Sequence, residues 1–573
     1  MTVTRRRVIQ GIAGAAGFAA VGGGWGCATC RRPPPTSDQG LLVVDVHCHL
    51  FNAKDAPVAG FLTRFLEGRG FPAVVVSVLR GTLAGVERWG HDRSSGAEEL
   101  DELRALVNGQ AVPPREVKPL QADELLALDA GYSPKALVAP AEALRTAAAT
   151  NEAREQQLRE AYATDPAVAR WLDRPEVKAP PEGLQAFTAA REAGLPLLAR
   201  VLAFFYRGFG DFISTGIGTR LDIARRLISE NAGVAVFTPL LLDFDRWIPE
   251  STAPAAVPPD TQVELLATLA QAAALGRIPL PGGAAAAIHP LVAFDPKRDA
   301  ADPSGRLQEY RDVLERTDSR IALDRYLEKY PDPAGEPASF GTVRRAIATG
   351  AFAGVKVYPP VGFQPLGNGP DDQGLLIDAA LRRLYSWCER NDVPITTHAG
   401  TGNPFSIQAR EMAAPAGWRP VLARHERLRL NLGHFGHERP DWLDDAVALL
   451  EEPSHPFVYA DLGDADIQRA HLAAHIAELK AHGVFSSPAV MNRLLYGSDW
   501  FMDKLNAGGA LQYLQAIEAA VGAEVPRATL ERFLSANALE FLGLTDPASG
   551  NLRRLRQFYA GLKVPLPRWL GGT

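Results

Sequence analysis

A chain of 573 residues, with 46% hydrophobic and 22% charged side chains, can bury a large core in more than one structural unit, and disorder is not its default state. Its formal net charge of -6 supplies no broad cationic surface for a phosphate backbone. That balance argues against nucleic acid and for a small neutral or polar partner.

The chain opens with Thr4-Arg5-Arg6-Arg7-Val8-Ile9-Gln10, followed by an apolar, glycine- and alanine-rich stretch from Gly11 to Gly24. Paired arginines ahead of a mildly hydrophobic stretch resemble a twin-arginine export signal, the alternative being a disordered basic tail. Residues 1–35 are therefore read as signal and linker, and an exported protein of the periplasm or cell envelope is expected. The stretch is too short and too rich in glycine for a membrane span, so none is expected in the mature chain. Cys27 follows Gly24-Trp25-Gly26 and is a candidate for lipid attachment, although Trp25 matches such sites poorly. Besides Cys27 only Cys30, Cys48 and Cys388 occur, too few well-placed cysteines for a disulfide framework.

After Pro33-Pro34-Pro35 comes Leu41-Leu42-Val43-Val44-Asp45-Val46-His47-Cys48-His49, a β-branched run that reads as a buried strand within residues 40–52. Residues 53–232 change to Ala, Leu, Glu and Arg at helical spacing, broken at Val112-Pro113-Pro114 and Ala179-Pro180-Pro181, and read as a large, mainly helical insertion. From 233 to 545 short apolar runs alternate with amphipathic helices. The strands are expected at Gly233–Leu242, Ala286–Phe294, Gly354–Tyr358, Val393–His398, Leu428–His434, Phe457–Asp461 and Arg493–Tyr496. Helices are expected at Thr261–Ala274, Leu375–Arg390, Trp442–Leu450, Ile467–Lys480 and Leu511–Ala520. With strand one the count is eight, which a closed (β/α)8 TIM barrel of the α/β class requires. Residues 546–573 form a tail.

His47 and His49 stand two apart on one strand, so the pleat puts both imidazoles on one face, a geometry suited to zinc and its transition-series neighbours. A His-x-His alone is equally two polar strand residues. His398, His434 and Asp499, however, each sit at or just past the end of a later strand, where barrel enzymes assemble their sites. Tyr358, Asp243, Asp461 and Trp500 lie near strand ends and are candidates for shaping the pocket. His289, His437 and His455 are read as structural or solvent-facing.

The set Asp45-Val46-His47-Cys48-His49-Leu50, Lys356 within Gly354-Val355-Lys356-Val357-Tyr358-Pro359-Pro360, His398, His434 and Gly497-Ser498-Asp499-Trp500 resembles the amidohydrolase superfamily, in its amidohydrolase-related branch. Phe533-Leu534-Ser535-Ala536-Asn537-Ala538 resembles the helix that closes many members. The resemblance covers strand one and residues 233–544, leaves the insertion unmatched, and does not name a substrate.

It implies that His47, His49, His398 and Asp499 hold a divalent metal, zinc by preference. Asp499 then orients water and moves its proton, while His434 donates to a carbonyl oxygen or joins a second metal site. Lys356, with Tyr358, is read as a substrate contact or charge partner in preference to a carboxylated bridge, so one ion is expected and two if Lys356 is carboxylated. The function implied is hydrolysis of an amide, lactone, ester or related bond of a small molecule. The alternatives are non-oxidative decarboxylation or hydration, and a catalytically silent exported binding protein. The insertion leaves strand one at its metal-binding end, so it is a candidate lid. The apolar run Leu195–Phe205 within it is either buried core or a docking surface. Homo-oligomerisation is left open.

Overall fold

The computed structural model describes residues 41–112, 148–178, 194–243, 257–300 and 339–571, apart from 69, 94–95, 279, 281–285, 370, 403–405, 437–438, 465–468, 503 and 505–512. The export signal, Cys27, Cys30, the Pro33–Pro35 linker and the Ala179-Pro180-Pro181 joint lie outside these residues, as does His437.

The strands are β1 (Val44–Cys48), β2 (Val236–Pro239), β3 (Ala287–Ile288 and Leu291–Phe294), β4 (Gly354–Val357), β5 (Ile395–His398), β6 (Leu430–Gly433), β7 (Val458–Asp461) and β8 (Leu494–Leu495). β3 is one stave in two pieces, because Pro290 between them has no N–H to give to the ladder. Its first piece pairs with β2 and its second with β4, all in parallel, and the pairing then runs in chain order to β8. Backbone bonds from Val46 N to Tyr496 O (3.1 Å) and Ser498 N to His47 O (3.1 Å) join β1 to the end of β8 and close the ring. The fold is thus a TIM barrel, its strand residues buried as a parallel sheet under helices requires, except for the half-buried Ala287 and Ala293 of β3.

Between β1 and β2 the chain forms α1 (Val58–Gly68), α2 (Ala73–Arg93), α3 (Gly96–Val107), α4 (Ala148–Thr164), α5 (Pro166–Leu172), α6 (Pro175–Lys178), α7 (Pro196–Gly216) and α8 (Arg220–Glu230). Within α7 the side chains of Leu198, Val201, Leu202 and Phe205 are buried, so the apolar run there is core and not an open docking surface. Aromatic contacts between Phe65 and Phe209 and between Trp171 and Phe204 knit α1, α5 and α7 together. Thr219 caps α8 by accepting from Asp222 N, which satisfies one of the free N–H groups of the first turn.

The expected helices of the barrel appear as Pro259–Ala274, Asp372–Asn391, Pro440–Glu451, Arg469–Ala481 and Tyr513–Gly522, each end within three residues of the expected one. The helix at Gly550–Leu562 packs beneath the N-terminal strand ends, where Asn551 Nδ2 donates to Ala353 O (2.9 Å). Tyr559 Oη of that helix donates to His289 Nε2 (3.0 Å), whose Nδ1 donates to Ala351 O (3.0 Å). Among the described residues no helix is long and apolar enough to cross a membrane.

Candidate metal centre

β1 alternates between its two faces, although its register against β2 shifts between Asp45 and Cys48. Val44, Val46 and Cys48 face the surrounding helices, while Asp45, His47 and His49 take the other face, and all six are buried. Asp45 pins this strand to the turn after β8 by accepting from His47 N (3.0 Å), Ser498 N (3.1 Å) and Ser498 Oγ (2.6 Å). Burial pushes its carboxyl up to about 7 despite those donors.

That turn brings Asp499 to the two histidines. His49 Nε2 lies 2.9 Å, and His47 Nε2 3.4 Å, from Asp499 Oδ1. The three residues offer donor atoms that all lie within 4.8 Å of one another. Asp499 and His434 both have positive φ, 53° and 71°, a left-handed conformation that side chains other than glycine adopt at a cost and that tends to mark functional sites. At Gly497 a Cβ would stand 2.7 Å from His47 Cβ, so only glycine lets this turn approach β1 so closely.

The hydrogen bonds of the two imidazoles decide whether a cation suits this place. His47 Nδ1 contacts Asp461 Oδ1 (2.9 Å) and His49 Nδ1 contacts Leu240 O (3.0 Å). A carboxylate and a carbonyl only accept, so each Nδ1 carries the proton, and the neutral form of each ring turns a bare Nε2 lone pair toward Asp499. Three acceptor atoms therefore face one another, which is repulsive unless a positive charge lies among them. Burial lowers the His49 pKa, so a second ring proton is a poor candidate for that charge. Divalent metal satisfies the set. Imidazole Nε2 atoms with Nδ1 held by a carboxylate or carbonyl are the usual dress of metal-ligating histidine.

His398 and His434 complete the group of rings. The ring centroid of His434 is 4.5 Å from that of His47 and 4.4 Å from that of His398. His398 lies outside the tight triad, and its Nε2 is buried with no hydrogen-bond partner among the described residues. Gly402, at φ 49°, comes so close that a Cβ there would collide with His398 Nε2 and Tyr358 Oη. His434 Nδ1 donates to Gly463 O (3.1 Å), and burial takes its pKa down to about 3. The neutral ring thus presents a lone pair at Nε2, which departs from the expectation that His434 donates to a carbonyl oxygen. Lys356 Nζ is buried, likewise without a partner among the described residues, and burial lowers its pKa to about 8 against the opposing pull of Asp461 and Asp499.

The remaining candidates divide. Asp461 is the hub of the site: besides His47 it accepts from Asn431 Nδ2 (2.6 Å), Gly463 N (3.0 Å) and His434 N (3.2 Å), and His47 with these donors holds it well below the usual carboxylate range despite burial. Asp243 pairs with Arg298 (2.7 Å) and, among the described residues, joins no metal-ligating cluster. Trp500 is buried and donates from Nε1 to Glu230 Oε2 (2.8 Å). Asn431 and Ser498 carry no role in the sequence reading. Neither stands out as a residue type, and the bonds that tie each to the site, Asn431 to Asp461 and Ser498 to Asp45, are to partners remote in sequence.

A family described as amidohydrolase matches residues 254–544, just over half of the chain. No curated protein matches it. Solved structures similar to it include an uncharacterised TIM-barrel protein from Bordetella bronchiseptica, 14% identical over 58% of this chain and 84% of that one, at a TM-score of 0.34. An amidohydrolase from Burkholderia multivorans with bound zinc is 17% identical over 56% of this chain and 87% of that one, at a TM-score of 0.32. The 5-carboxyvanillate decarboxylase of Sphingomonas paucimobilis is 12% identical over 56% of this chain and 82% of that one, at a TM-score of 0.29.

Proposed function

The chain belongs to the amidohydrolase family of metal-dependent hydrolases and decarboxylases, and on that premise we propose that it hydrolyses an amide, ester or lactone bond of a small molecule at a single zinc ion. The observation that carries this reading is the convergence of three lone pairs, from His47 Nε2, His49 Nε2 and Asp499 Oδ1, with both Nδ1 protons already committed. His398, whose buried Nε2 has no other partner among the described residues, is the fourth donor. A divalent cation held there would lower the pKa of coordinated water toward neutrality.

The chain's own groups do the rest. Asp499 orients the attacking water, takes its proton and returns it to the leaving group. His434, neutral with its lone pair at Nε2, accepts a hydrogen bond from that water and fixes its direction; its low pKa keeps it from retaining a proton. Lys356, an ammonium stripped of water and without a protein partner among the described residues, contacts the anionic or carbonyl end of the substrate, with Tyr358 beside His398 lining the same side. Elemental analysis of the purified chain is expected to give one metal per chain, and two would indicate a carboxylated Lys356. Incubation of the metal-replete enzyme with a panel of amides, esters and lactones is expected to release acid, with turnover lost on chelation and restored by zinc. Release of carbon dioxide from aromatic carboxylates, without any hydrolysis, would overturn the hydrolase assignment.

Export rests on Arg5-Arg6 and the Gly11–Gly24 stretch. Fractionation of cells carrying Arg5→Lys with Arg6→Lys is expected to leave the protein in the cytoplasm, and unchanged export would sink the twin-arginine reading.

A further inference from the structure

A buried polar cluster and a partly exposed one tie the insertion to the loops that leave β1 and β8. At the first, the Arg220 guanidinium pairs with Asp55 and, at 2.7 Å, with Glu99, all three being 1–2% exposed. Asn52 Nδ2 donates to Glu99 Oε1 (3.1 Å) and Asn52 N to Asp55 Oδ2 (2.9 Å), which fixes the backbone three residues beyond His49. At the second, Glu230 Oε2 accepts from Trp500 Nε1 (2.8 Å) and meets Lys504 Nζ (2.8 Å). Lys504 also pairs with Asp211 of α7 (2.6 Å), and Arg226 reaches both Asp211 (2.8 Å) and Glu230 (2.9 Å). Two carboxylates and two cations balance there around the ring that follows Asp499.

Arg220 and Glu230 are the first and last residues of α8, a helix of 11 residues and so about 16 Å long. A single rigid rod thus grips the loop behind His49 at one end and the residue beyond Asp499 at the other. We propose that α8 is a strut that sets the spacing between the strand-one and strand-eight donors, with Arg220 and Glu230 as positioning residues for the metal. This rests on the assignment of His47, His49 and Asp499 as ligands. The reason is mechanical. Asp499 holds a left-handed φ, and the next residue, Trp500, is held on its backbone by His49 N and Ser498 Oγ and on its ring by Glu230, which adds the one anchor that comes from α8. The insertion is then part of the scaffold of the site and not a detachable cover.

The test uses the full chain loaded with cobalt(II), whose visible spectrum reports coordination, in competition with a chromophoric chelator. Glu230→Ala is expected to weaken cobalt affinity about 10-fold and to alter the spectrum, as loss of an outer partner does. Glu230→Gln, which keeps an oxygen for the Trp500 N–H, is expected to restore most of that affinity. Trp500→Phe guards against a fold defect, since it leaves Glu230 to its cations; it is expected to weaken cobalt binding as Glu230→Ala does, with no further loss in the double variant. A Glu230→Ala protein with lowered Tm but the spectrum and affinity of the parent would reduce the cluster to simple glue and overturn the strut. Independent, additive effects of the two substitutions would overturn it equally. A parent chain that takes up no cobalt would overturn the ligand assignment itself, a result separate from either.

Discussion

His289 and His398 are both buried histidines beside aromatic rings, one under the barrel and one at its mouth. His289 has both nitrogens occupied, by Ala351 O and Tyr559 Oη, whereas His398 keeps a bare Nε2 within a group of three other histidines. Burial alone therefore does not distinguish a structural imidazole from a reactive one; what remains unsatisfied after every hydrogen bond is assigned does. The same contrast separates Asp461, which accepts from four protein groups, from Asp499, which faces other acceptors.

The widest gap between the two ends should appear in turnover. Asp499→Asn is expected to cut kcat by about 10³-fold or more at saturating metal, a loss proper to general acid–base work at the reacting water, while His289→Gln stays within about 2-fold. Comparable rates for Asp499→Asn and parent would remove the distinction. Next in size is the response of stability to pH. The His289 pKa is lowered from 6.5 to about 4, so the unfolded chain binds a proton there that the folded one refuses. Its contribution is complete above pH 6.5 and is lost as the pH falls toward 4, by up to about 3 kcal/mol. Unfolding midpoints of the metal-free proteins across that window should fall less steeply for His289→Gln than for the parent; equal slopes would mean that the buried ring protonates freely. The smallest effect concerns the partner of His47. Asp461→Asn is expected to weaken zinc binding about 10- to 100-fold, measured by competition with a chelator, because Nδ1 loses its anionic acceptor. An unchanged affinity would make Asp461 a packing residue.

Much of the fold and of the site is legible in the sequence. The β-branched runs and the amphipathic stretches between them carry their own periodicity, so all eight staves fall where expected, β3 alone being split at Pro290. His47, His49, His398, His434 and Asp499 announce themselves because ionisable groups rarely end apolar runs. The tautomers were not legible: which nitrogen of His434 holds the proton depends on Gly463 O, a carbonyl that any residue could supply. Asp461 looked like one strand-end carboxylate among several, and its bond to His47 spans 414 positions. Asp243 illustrates the converse, a similarly placed carboxylate taken by Arg298. Arg220, Glu99 and Glu230 read as ordinary charges on helix surfaces, because periodicity locates a face but not what covers it.

Cys48 sits between the two strand-one histidines and, by the same alternation, turns its sulfur away from them into the packed shell of helices, where it is wholly shielded. Burial raises its pKa well above the ordinary value, so the thiol stays protonated and unreactive while the structure is closed. The strand that bears two metal donors thus carries its own silent label. An alkylating reagent can reach that sulfur only when β1 parts from its neighbours, which makes its slow modification a clock for opening at the very segment on which the chemistry depends.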